Sequence, residues 1–100
     1  MVTVGLLIRI EAKAGKVPEV EAVLKSVLDQ VREDTATVVW FALRLGPTTF
    51  GVFDASADEA GRQAHLDAYL EPLRAAAAEL FAGPPSIDHV DVIGAKLPGE

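Results

Sequence analysis

The sequence predicts an α+β domain in the order strand, helix, strand, strand, helix, strand. Three observations carry this. Apolar residues recur at period two over residues 2–10, and they recur at helical spacing over residues 17–31. A β-branched and aromatic stretch over residues 35–55 is broken only around Gly46-Pro47, as in a hairpin.

In the first strand, Val2 to Glu11, the apolar set is Val2, Val4, Leu6, Ile8 and Ile10, against Thr3, Gly5, Leu7, Arg9 and Glu11. Ala14-Gly15-Lys16 is a turn, and Pro18 suits a first helical turn, where its missing N–H costs nothing. Val17, Val20, Val23, Leu24, Val27, Leu28 and Val31 then make one apolar stripe, with Glu19, Glu21, Lys25, Asp29, Gln30 and Arg32 off it. Thr35 to Leu45 is apolar on both faces until Arg44, which implies cover on both sides. Thr48 to Ala55 is the returning hairpin strand. Ser56-Ala57-Asp58-Glu59 has capping-box spacing and predicts Ser56 as the N-cap of a second helix. That helix runs to about Leu70; Pro72 either kinks it or starts a new one, and the alanine-rich run from Leu73 to Phe81 is stopped by Gly83-Pro84-Pro85. Ile87 to Leu97 is the last strand, centred on Val90, Val92 and Ile93. The order is the split βαβ pattern of a ferredoxin-like domain, two helices on one face of a four-stranded antiparallel sheet.

A chain of 100 residues predicts a single domain over residues 1–100 and excludes a separate dinucleotide-binding half. It is 50% hydrophobic, with mean hydropathy +0.27, which supplies more apolar material than so small a core absorbs. The surplus, and the bare sheet face of this architecture, predict a homodimer closed face to face. Nine basic against fifteen acidic residues give a net charge of -6, which disfavours nucleic acid and anionic membranes as partners. The absence of cysteine excludes disulfides, thiolate nucleophiles and Cys-based zinc or iron–sulfur sites. The apolar start carries Arg9, lacks a basic leader and is too short to span a membrane, so a cytoplasmic location is the expectation.

The hairpin Trp40-Phe41-Ala42-Leu43 / Phe50-Gly51-Val52-Phe53-Asp54-Ala55, followed by Asp58-Glu59-Ala60-Gly61-Arg62-Gln63-Ala64-His65-Leu66, resembles the antibiotic biosynthesis monooxygenase family. The resemblance covers nearly the full length. It implies a dimeric α+β barrel, with a pocket between helices and sheet large enough for an aromatic ligand. It also implies oxygenation without flavin, metal or haem, so no cofactor is expected. The haem-degrading branch, which matches at His65, also needs an Asn on the first strand, and this sequence contains no asparagine. The anthrone-oxidising branch uses Trp, Tyr and Arg together with an Asn; Trp40, Tyr69 and Arg62 supply the first three residue types.

His65 is the candidate catalytic residue, a base for a phenol or hydroquinone; its alternative is a histidine lining the helix–sheet boundary without chemistry. Trp40, Arg62 and Tyr69 are the candidate substrate-binding residues. Trp40 could stack on a planar ligand or pack in the core or dimer interface. Arg62 and Tyr69, three before and four after His65, share one side of the helix with it, either as a pocket constellation or as a solvent-facing cluster. Asp54 orients a pocket group or serves as a turn residue, and His89 is a solvated or interface residue. No metal site is expected, because the two histidines lack ligand spacing. The expected function is a cofactor-independent monooxygenase for an aromatic, polyketide or quinol-like substrate; the alternative is a non-catalytic dimeric module binding a small hydrophobic molecule.

Overall fold

Alternation in the first strand puts Leu6, Ile8 and Ile10 on one face, and all three are buried. The computed structural model describes residues 1–99. Its elements are β1 (Val4–Glu11), α1 (Val17–Val31), β2 (Thr37–Arg44), β3 (Thr49–Ser56), α2 (Glu59–Leu80) and β4 (Ser86–Asp91), in the predicted order. The strands form one antiparallel sheet in the order β2-β3-β1-β4, which is the ferredoxin-like arrangement. The register sets Ile10 opposite Phe50, Ile8 opposite Val52 and Leu6 opposite Asp54. These side chains therefore share the face on which Val20 and Leu24 of α1 pack, and Phe81 closes one end of the core.

Four sequence expectations change. Ser56 is not the N-cap: β3 continues through it, pairing it with Val4 and Thr37, and Asp58 caps α2 by accepting a hydrogen bond from the Gly61 N–H at 2.9 Å. Of the two expectations for Pro72, the start of a new helix does not hold: α2 runs on through it for 22 residues in all, because Leu73, Ala76, Ala77 and Leu80 pack against the core and hold the turns after it. The last strand stops at Asp91, where its pairing with β1 runs out at Val4, and Ile93 is fully exposed. The second face of β2 is uncovered within one chain: Phe41 and Leu43 lie on the open side of the sheet, with Leu7 of β1 also exposed.

β1 and β3 approach closely at Gly5, where a Cβ would meet the Asp54 carbonyl oxygen at 2.5 Å. A side chain there must push the two strands apart at the Asp54 main-chain carbonyl. Gly5→Ala should cost about 1–3 kcal/mol of stability, read by denaturant unfolding. An unchanged unfolding midpoint would show that the sheet yields there freely.

Candidate active site

Because side chains alternate along β3, Phe50 and Val52 precede Asp54 and Ser56 on the face beneath the helices. The sequence offers Asp54 as a residue that orients a pocket group or as a turn residue, and it is not in a turn. It is an interior strand residue with no exposed surface, opposite Leu6 on one side and Trp40 on the other. His65, in the second turn of α2, reaches down to it, and its Nε2 lies 3.3 Å from Asp54 Oδ2. Among the described residues, neither carboxyl oxygen of Asp54 nor Ser56 Oγ has a hydrogen-bond partner. On the other side of the ring, His65 Nδ1 is 2.8 Å from Thr37 Oγ1 and 3.6 Å from Asp34 Oδ2.

The electrostatics follow from burial. Loss of water, and secondarily the negative charge of Asp34, push the Asp54 carboxyl up to about 7. Burial pulls His65 below the usual histidine value, with Asp34 offsetting part of the change. Partial burial raises Asp34, but the Thr37 hydroxyl and the Ala36 N–H outweigh it and hold its carboxyl low. Below neutrality the interior pair is thus a carboxylic acid beside an imidazole that burial keeps from charging, next to a carboxylate nearer the surface.

His65 and Tyr69 line an apolar cavity of about 60 Å³ between the helices and the sheet, whose wall also includes Leu24, Trp40, Val52 and Phe81. The Tyr69 ring lies 4.5 Å from the imidazole, tilted by 48°. Burial, then the charge of Asp34, push the Tyr69 phenol above its ordinary value. Trp40 also lines a groove of about 430 Å³ between α1 and β2, with Glu21, Lys25 and Arg44 at its rim. Trp40 and Leu24 therefore line both the inner cavity and the outer groove. The inner space is smaller than the resemblance implies, since a cavity that holds benzene in a protein core measures roughly 150 Å³.

Arg62 is placed otherwise than the pocket reading expects. It is buried, but it is not in the cavity wall: Nη1 donates to the carbonyls of Gly5, at 3.3 Å, and Val90, at 3.1 Å, while Nε and Nη2 pair with Glu59. It ties α2 to β1 and β4. His89 is exposed on β4, and Arg9 is exposed on β1. Asp34 and Thr37 escaped sequence reading, although Asp34-Thr35-Ala36-Thr37 carries the signature of a side chain capping its own turn. Among the described residues no group of three or more His, Cys, Asp or Glu side chains is placed to hold a metal ion, and no helix is long and apolar enough to cross a membrane.

Fold and site together define a ferredoxin-like domain with a buried histidine–aspartate pair at an apolar cavity. The chain belongs to one family with the NE2512 protein of Nitrosomonas europaea, a protein of unknown function: the two are 46% identical over 100% of this chain and 98% of that one, with a TM-score of 0.94. Its fold is that of solved structures provisionally named antibiotic biosynthesis monooxygenases. One from Nitrosomonas europaea is 16% identical, covering 91% of this chain and 90% of its own, with a TM-score of 0.80. Another, from Caulobacter crescentus, is 20% identical, covering 93% and 92%, with a TM-score of 0.79. No protein-family model matches the chain, and no curated protein does.

Proposed function

We propose that the protein is a cofactor-independent monooxygenase for an electron-rich aromatic, a polyketide-derived or quinol-like phenol or its keto form, with His65 as the base. The observation that carries this reading is a buried imidazole, backed by a buried carboxyl, in the wall of an otherwise apolar cavity. A general base must be unprotonated at the working pH, and burial favours the neutral form of the His65 imidazole. Removing a proton from the substrate in a dry site leaves an electron-rich anion that can itself reduce dioxygen. In an anthrone-type substrate a CH₂ group becomes C=O; one oxygen atom enters the substrate and the other leaves in water, so no external reductant is required.

Trp40 and Tyr69 are the substrate-binding residues of this account. A ring enters by displacing Trp40, which joins the inner cavity to the outer groove and gives a site of a few hundred Å³, the usual range for small ligands. The small inner volume also favours a second reading, a non-catalytic module in which His65 is packed. Oxygen uptake with anthrones and hydroquinones, chelator present and nothing else added, separates the two. The oxygenase reading expects uptake that falls about 100-fold or more in His65→Ala. Uptake unchanged by that substitution, or none in the wild type, rejects it.

The exposed Leu7, Phe41 and Leu43 make the open sheet face the surface for a second copy of the chain. Sedimentation equilibrium at micromolar concentration should give twice the chain mass. A single-chain mass would reject the homodimer.

A further inference from the structure

We propose that Thr37 and Asp34 are positioning residues that hold His65 in the tautomer protonated at Nδ1, so that the imidazole's one basic lone pair sits on Nε2 beside the buried Asp54 carboxyl. The proposal rests on the reading of His65 as base. Asp34 Oδ1 accepts from the Ala36 N–H at 2.9 Å, and Oδ2 lies 2.9 Å from Thr37 Oγ1. A carboxylate has no hydrogen to give, so the one hydroxyl hydrogen of Thr37 points at Asp34. Thr37 Oγ1 then meets His65 Nδ1, 2.8 Å away, with a lone pair, and that contact requires the hydrogen to sit on Nδ1. Nε2 is left with its lone pair toward Asp54. The other ring neighbour from α2, Tyr69, contacts the imidazole ring to ring and adds no second charge.

The backbone is bent to make this contact. Trp40 faces the helices, and strict alternation would send Thr37, three residues earlier, to the open face of the sheet. A register shift between Thr37 and Val39 intervenes, pairing Thr37 with Ser56 while Val39 pairs with Ala55. The extra residue turns Thr37 back beneath α2, as bulges do beside sites where one side chain must be re-aimed.

The test is a long-range ¹H–¹⁵N spectrum of the ¹⁵N-labelled full chain at pH 6, with exposed His89 as an internal reference for an unconstrained ring. His65 should show a protonated Nδ1 and an unprotonated Nε2. Thr37→Val should lose that preference and lower oxygen uptake at least tenfold, and Thr37→Ser should restore both. A wild-type ring protonated at Nε2, or a tautomer unmoved in Thr37→Val, overturns the proposal. If Thr37→Val does not fold, the wild-type and Thr37→Ser spectra decide. Absence of oxygen uptake in the wild type sinks only the oxygenase reading, because the nitrogen spectra report the tautomer without substrate.

Discussion

Asp54→Asn should stabilise the protein at pH 8 by about 4 kcal/mol, and the gain should shrink to little at pH 4. The carboxyl sits at about 7 in the folded chain against an ordinary value near 4, and each unit of difference is worth about 1.4 kcal/mol. Its folded affinity for the proton is raised, so its stabilising contribution is complete below the unfolded value and is lost as the pH climbs through about 7. Asparagine keeps the shape and a donor toward His65 Nε2 without ever ionising. His65 works in the opposite sense: its folded affinity is lowered, so stability rises with pH until the unfolded histidine has given up its proton. In the wild type the two slopes oppose each other over the acidic range. Asp54→Asn leaves only the rising limb, whereas His65→Gln leaves only the falling one. Urea unfolding at several pH values from 5 to 8 reads both slopes. Parallel profiles in the three proteins would show that neither group's proton affinity changes on folding.

Arg62→Ala should cost about 2–4 kcal/mol, a loss of 10 °C or more in melting temperature for a chain of this size. The substitution removes two charge-assisted hydrogen bonds to main-chain carbonyls and leaves the buried Gly5 carbonyl without the guanidinium. Lysine cannot reach both carbonyls while also facing Glu59, so Arg62→Lys should recover only part of the loss. Substrate affinity in the surviving folded fraction should be near normal. An unchanged melting temperature with lost oxygen uptake would instead make Arg62 a ligand-binding group.

Much of the fold is legible in the sequence because its signals are local. The stripe from Val17 to Val31 marks α1 to the residue, and the order of elements follows from periodicity and turn residues alone. The expected ends of the second helix and last strand moved for tertiary reasons. Ser56 and Asp58 are both competent caps, and only the pairing of β3 with β1 decides between them. Likewise nothing local tells Val92 and Ile93 that the paired ladder ends at Val4 and Asp91, with only the Val92 N–H reaching further, to the Thr3 carbonyl at 2.9 Å.

The site was half legible. His65, Trp40 and Tyr69 stand at the cavity, since a lone histidine and aromatic residues at helical and strand spacing already suggest one. Arg62 shares the spacing but is diverted to backbone carbonyls, a choice that depends on where β1 and β4 lie. For Asp54 the sequence leaves a pocket-orienting and a turn role open, although its two-residue offset from Val52 puts it on the inner face. A carboxyl among core residues is rare unless paired, and its partner is eleven residues ahead on another element. Thr37 reaches the site through a bulge, which reverses the face that simple alternation assigns.

The most direct test of the account is the titration of the Asp54 side-chain carboxyl by ¹³C NMR in the wild-type chain. A carboxylic acid persisting through pH 5 and ionising near 7, with the His65 ring neutral over the same range, is the predicted result. An Asp54 already ionised at pH 5 beside a protonated His65 would contradict it, because the imidazole would then already carry the proton that a base must accept.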